Sequence, residues 1–133
     1  MIAAVADTHA ALWYLTDDPR LSAPARASIR ETTISRNKVA ISSISLVEVI
    51  YLVEKGRLPI TAYEELVASL ADPEHVFVEA AVSAAIVATM RQVPRAEVPD
   101  MPDRIVAATG LHFGVPILSR DGRIRAASLK TIW

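Results

Sequence analysis

Along the chain, fully apolar runs alternate with segments whose apolar positions recur at helical spacing. Ile2 to Ala6 is apolar at every position and ends at Asp7, as suits a strand covered on both faces. Thr8 to Thr16 carries Leu12, Trp13 and Leu15 at helical spacing and stops at Asp17-Asp18-Pro19. Ser22 with Pro24 predicts a capped helix to about Arg30. Val39 to Ser43 predicts a second strand, and Ser45 a cap for a helix from Leu46 to Lys55 that ends at Gly56. Thr61 opens a helix to Leu70, closed by Asp72-Pro73, and Val76 to Val78 predicts a third strand. Ala81 to Gln92 sets Val82, Ala85, Ile86 and Met90 on one helical face. Val93 to Pro102, with Pro94 and Pro99 between, reads as a loop. Asp103 to Phe113 is a predicted helix ended by Gly114, and Val115 to Leu118 a fourth strand. Arg123 to Ser128 reads as a helical turn or loop, and Thr131 to Trp133 as an edge strand.

This alternation predicts an α/β fold: a three-layer α/β/α sandwich with a mostly parallel central sheet. In such sheets ligands bind beyond the carboxyl ends of the strands. Asp7 and Asp121 would then share one rim.

Composition narrows the class. Of 133 residues, 52% are apolar and 22% charged, which excludes a disordered chain. The absence of cysteine excludes a disulfide scaffold and a thiolate metal site. The longest stretch without a charge, Ile105 to Ser119, is interrupted by Gly110, Gly114 and Pro116, so no membrane span is expected. No secretory signal is visible at the start. The expectation is one cytoplasmic domain over residues 1–133, long enough to bury roughly two-thirds of its unfolded surface.

Most acidic residues fall in loops or on polar helix faces, but a few do not. Asp7 ends an apolar strand, Glu48 sits in a helix apolar nearly all round, Asp103 starts a helix with Asp100 one turn before it, and Asp121 follows Ser119-Arg120. Each has a structural reading. Asp7, Asp100 and Asp103 could serve a helix N-terminus, Ser45-Leu-Val-Glu48 matches a capping box, and Asp121-Gly122 is a turn signal. Singly, Glu48 and Asp121 read first as structural, while Asp7 and Asp103 are evenly balanced. Together they bring at least four carboxylates to one sheet edge. Such a cluster repels itself unless a cation compensates, and an oxygen-only donor set suits Mg²⁺ or Mn²⁺. Zinc does not fit, since His9, His75 and His112 are far apart. His9 lies close enough to Asp7 to touch a substrate, but His9 and His112 read first as structural.

Four segments in order resemble the PIN domain, and among its members VapC-type toxins of bacterial toxin–antitoxin pairs. They are Asp7-Thr8-His9-Ala10 with Leu12-Trp13, Ile44 to Glu48, Asp100 to Thr109, and Leu118 to Asp121. The resemblance implies a metal-dependent endoribonuclease that cleaves RNA by metal-activated water. It assigns Asp7, Glu48, Asp103 and Asp121 to the metal ligands and catalytic set, with Mg²⁺ or Mn²⁺ as cofactor. Asp100, Ser119 and Thr8 are expected in supporting roles, and Ser119 stands where the family often has Thr. It further implies a homodimer and a VapB-type antitoxin partner. Leu46, Val47, Ile50, Tyr51, Val53, Leu58, Tyr63 and Leu66 exceed what one small core buries. Trp13 is a candidate to touch RNA or antitoxin, or equally a core residue.

Two rivals remain in view. A phosphatase of the haloacid-dehalogenase kind needs a second Asp two residues after Asp7, where His9 stands; a receiver domain needs a Lys that Lys38, Lys55 and Lys130 do not supply. The other rival is a catalytically idle PIN-like binding or scaffold module. The formal charge of −1, from 14 basic and 15 acidic residues, first argues against nucleic acid. Setting aside Asp7, Glu48, Asp103 and Asp121 leaves 14 basic against 11 acidic residues. Arg104, Arg120 and Arg123 are the candidate RNA contacts on a rim that is basic once metal is bound.

Overall fold

A computed structural model describes residues 1–127 and 129–133. The all-apolar segment Ile2–Ala6 forms β1 and lies at the centre of a five-stranded sheet. It is flanked on one side by β2 (Lys38–Ser42) and then β3 (Phe77–Ala80). On the other side lie β4 (Ile117–Leu118) and then β5 (Thr131–Ile132). Every pairing is parallel.

Strand alternation divides the core in two. Ala4, Ala6, Val39, Ile41, Phe77 and Leu118 face one layer, and Val5, Ala40, Val78 and Ile117 the other. The first face is covered by α1 (Thr8–Leu15), α2 (Ala23–Ile34) and α4 (Ile60–Ala71), through Leu12, Trp13, Ile29 and Leu66. The second is covered by α5 (Ala84–Thr89), α6 (Met101–Phe113) and α7 (Gly122–Ala126), through Ile86, Ile105, Val106 and Ile124. The result is the expected three-layer α/β/α sandwich. No helix among the described residues is long and apolar enough to cross a membrane.

Several boundaries differ from the sequence expectation. α3 (Ser43–Glu54) begins directly after β2, with Ser42 Oγ accepting the Ile44 amide at 3.2 Å. Ser45 therefore lies buried inside the helix, and the expected Ser45–Glu48 capping box does not form. The expected helix Ala81 to Gln92 is shorter: β3 runs on to Ala80, which pairs with Ser42, Ser83 caps α5, and Met90–Gln92 is a 3₁₀ turn. α6 takes in Met101 and Pro102, and its first turn tolerates a proline without an amide to give. α7 falls within the expected Arg123 to Ser128 segment, of which Ser128 lies outside the described residues. Of the surplus apolar set, Leu66 belongs to the core, whereas Val47 and Tyr51 are exposed.

The strand order creates a crevice. From β1 the chain moves outward to β2 and β3, then returns across to β4 and β5. The switch point is between β1 and β4, where open α/β sheets leave room for a ligand beyond the strand ends.

Candidate active site

Asp7 follows β1, and its amide donates to Leu118 O at 3.1 Å, so the ends of β1 and β4 are joined at the crevice. Its Oδ1 accepts the Ala10 amide at 2.9 Å and caps α1. Beyond Leu118, the fully buried Ser119 accepts the Asp121 amide on Oγ at 3.0 Å. Asp121 Oδ1 in turn accepts the Arg123 and Ile124 amides at 2.9 and 3.0 Å, starting α7. On the opposite wall, Asp100 caps α6 by accepting the Asp103 amide at 3.1 Å. α3 supplies Glu48, whose Oε1 lies 2.6 Å from Thr8 Oγ1. The structural readings of Asp7, Asp100 and Asp121 as helix caps are therefore true, and they do not compete with a site. Capping is what fixes these carboxylates at the rim.

The walls enclose a cavity of about 330 Å³ lined by Asp7, Thr8, His9, Trp13, Glu48, Asp100, Asp103, Val106, Arg120 and Asp121. The acids feel one another there. The Asp103 carboxyl is pushed up to about 7, first by burial and then by Asp121, Asp100, Glu48 and Asp7. Burial also raises Asp7, against the opposing pull of the Ser119 hydroxyl, the Ala10 amide and His9. Burial raises Glu48 too, eased by the Thr8 hydrogen bond and reinforced by Asp100. The ion pairs among the described residues, Arg20–Asp18 and Arg26–Asp17, use none of the cavity's acids.

An uncompensated oxygen-rich ring suits a hard divalent cation. Among the described residues the carboxylates stand around the cavity without closing into a three-ligand group. Mg²⁺ keeps several waters and takes one or two carboxylates, so an open ring fits its demands. Asp7, Glu48, Asp103 and Asp121 are the residues that could hold it.

Most of the predicted set is thus brought together: Asp7, Glu48, Asp100, Asp103, Asp121 and Thr8, with Ser119 beneath. The three arginines separate. Arg120 lines the cavity, while Arg123 is exposed on α7. Arg104 turns away from it, donating from Nε to Val93 O at 2.9 Å and from Nη2 to Met90 O at 3.0 Å. Trp13 is buried in the core and also lines the cavity. One contribution escapes sequence reasoning: Ser45 packs its hydroxyl against Thr8. His9, read first as structural, instead joins the cavity wall, exposed and with its ring 5.6 Å from Trp13.

Comparison with known proteins agrees with this geometry. The family model described as PIN domain matches residues 4–129. Ribonuclease VapC22 of Mycobacterium tuberculosis is 26% identical over 130 residues, covering 95% of this chain and 92% of that protein. In structure, the chain resembles VapBC2 from Rickettsia felis, solved bound to a DNA fragment from their promoter. The TM-score is 0.70 at 18% identity, over 98% of this chain and 97% of that one.

Proposed function

The chain belongs to the PIN domain family, and from that membership we propose that it is a Mg²⁺- or Mn²⁺-dependent endoribonuclease, the toxin of a VapBC-type pair. The observation that carries the reading is the acid cavity at the β1/β4 switch point, where five carboxylates meet and Asp103 is raised to about 7. Capping accounts for the places of Asp7, Asp100 and Asp121, but not for Glu48 and Asp103, which are gathered beside them at an electrostatic cost.

A divalent ion held there by Asp7, Glu48, Asp103 and Asp121 supplies neutralisation of a phosphodiester's charge and acidification of water. The chain does the rest by placement. Thr8 donates to Glu48 and fixes its carboxylate; Ser119 and the α7 amides fix Asp121; Asp100 sets the first turn of α6 that carries Asp103. Arg120 offers a cation to phosphate at the cavity mouth. Attack of water on phosphorus with departure of the 3′-oxygen leaves 5′-phosphate and 3′-hydroxyl ends.

The relatives' names support the reading: one is a ribonuclease VapC, and the other belongs to a VapBC assembly. The proposed antitoxin is of the VapB type. The proposed homodimer would cover the exposed Val47 and Tyr51 of α3 and Ile60 and Val67 of α4. The proposed setting is the cytoplasm. Sequencing RNA ends after brief expression, with Asp7→Asn as control, tests the assignment. New 5′-phosphate ends should appear with the wild-type chain alone; equal cleavage by the variant overturns it.

A further inference from the structure

Trp13 stands at a junction, since it lines both the acidic cavity and the apolar groove beside it that runs past Leu58 and Pro59. Trp13 is buried, only 5% exposed, so it offers no open face on which a base could stack. Two guanidinium groups lie against it instead. Arg20 Cζ is 5.0 Å and Arg120 Cζ 4.7 Å from the ring centroid, both within cation–π range.

The two arginines differ in what else holds them. Arg20 donates to Asp18 from Nε at 3.0 Å and from Nη2 at 2.8 Å, so its charge has a partner. Arg120 is exposed at the cavity, and among the described residues it makes no hydrogen bond and no ion pair. A cation at the mouth of an acidic cavity is drawn inward by Coulomb attraction, where it would occupy the carboxylates. The ring holds it back. The backbone on either side is fixed as well, by buried Ser119 before it and by Asp121, the cap of α7, after it.

We propose that Trp13 is a positioning residue that keeps the Arg120 guanidinium at the cavity mouth, with its donors free for a substrate phosphate. The planar fork of arginine matches phosphate oxygens in pairs, and it can stack on an indole while doing so. Lysine carries the charge without the stack. The proposal rests on the ribonuclease reading and adds the device that aims the phosphate contact.

The test uses the full chain and a mixed-sequence single-stranded RNA oligonucleotide, with binding measured in EDTA and cleavage measured separately with Mn²⁺. Arg120→Ala should weaken binding by about tenfold, the loss of one charged contact. It should also flatten the salt dependence by about one unit of slope. In cleavage it should raise KM more than it lowers kcat. Trp13→Phe should move binding in the same direction, and the double variant should bind no more weakly than Arg120→Ala alone. Arg120→Lys should fall between wild type and Arg120→Ala. Wild-type binding by Arg120→Ala or Arg120→Lys overturns the proposal, as does full additivity in the double variant. Because Trp13 is a core residue, the two Arg120 variants decide the matter if Trp13→Phe does not fold. Loss of the ribonuclease reading is distinguishable, since it shows as RNA cleavage that is absent or independent of Asp7.

Discussion

Thr8 Oγ1 lies 2.6 Å from Glu48 Oε1 and 2.8 Å from Ser45 Oγ, joining the first turn of α1 to the middle of α3. A hydroxyl has one proton to give, so an ionised Glu48 takes it and the Ser45 hydroxyl turns its own toward Thr8. Thr8→Val keeps the shape and removes the bond, leaving a buried Ser45 hydroxyl without that partner. An unmade buried hydrogen bond costs about 1–3 kcal/mol. The variant should melt lower than wild type and cleave RNA roughly tenfold more slowly, as a misplaced carboxylate requires. Thr8→Ser should restore both. Lower melting with undiminished cleavage would assign the hydroxyl to stability alone.

Asp103 makes the metal-free protein sensitive to pH. Its folded value of about 7 lies above the ordinary 3.8, so folding favours the protonated carboxyl. Stability from this group is complete below about pH 4 and is lost as the pH rises through 7. Asp7 and Glu48 are raised as well and act in the same sense. In EDTA, Asp103→Asn should therefore melt above wild type at pH 8 and close to it at pH 4. Parallel curves across that range would refute the burial argument. Mn²⁺ should reverse the order at pH 8, because metal binds the ionised carboxylates and stabilises only the chain that keeps them.

How far these features are legible in the sequence depends on how local their causes are. The core strands are legible because β1 and β2 are covered on both faces: β1 reads as an unbroken apolar run, and β2 carries the apolar stretch Val39 to Ile41. The acidic residues are legible as an ordered set, since a parallel sheet brings strand ends and following helix starts to one rim. Ser45 misleads because Ser-x-x-Glu is the same pattern whether the serine caps a helix or lies inside it. The absence of any loop between β2 and α3 decides that, and Ser42 takes the cap. Ala81 to Gln92 misleads because an alanine-rich segment has little periodic contrast, and pairing of Ala80 with Ser42 extends the strand. Arg104 points away from the rim because its partners, Met90 O and Val93 O, sit more than ten residues back, across the proline-rich loop.

Gly110 governs how closely α6 approaches β4. A Cβ built there would lie 2.6 Å from Ile117 Cγ1 and 3.0 Å from Cδ1. Gly110 and Ile117 are both buried, so neither side has solvent to move into. Gly110→Ala should push the helix outward at a cost of about 1–3 kcal/mol, the usual range for overpacking. Cleavage should fall with it, because α6 carries Asp103 and β4 leads to Asp121. Ile117→Val removes the Cδ1 contact and should recover part of the stability. A fully stable, fully active Gly110→Ala variant would mean that the two elements do not need this approach.

Asp121 serves as cap and candidate metal ligand at once, and two substitutions separate the roles. Its Oδ1 accepts the Arg123 and Ile124 amides and so caps the start of α7. Asparagine keeps a carbonyl oxygen at the same place and caps about as well as aspartate, whereas alanine loses the cap at roughly 1 kcal/mol. Removing the charge also relieves Asp103, for which Asp121 is the strongest of the neighbouring acids. Asp121→Asn should therefore melt at or above wild type in EDTA, and titrate Asp103 at a lower pH in a carboxyl-resolved NMR measurement. Its Mn²⁺-induced gain in melting temperature should shrink, and its RNA cleavage should fall sharply. Asp121→Ala should share those losses and also melt lower. If Asp121→Asn instead cleaves and responds to Mn²⁺ like wild type, Asp121 is a cap and nothing more, and the metal set reduces to Asp7, Glu48 and Asp103.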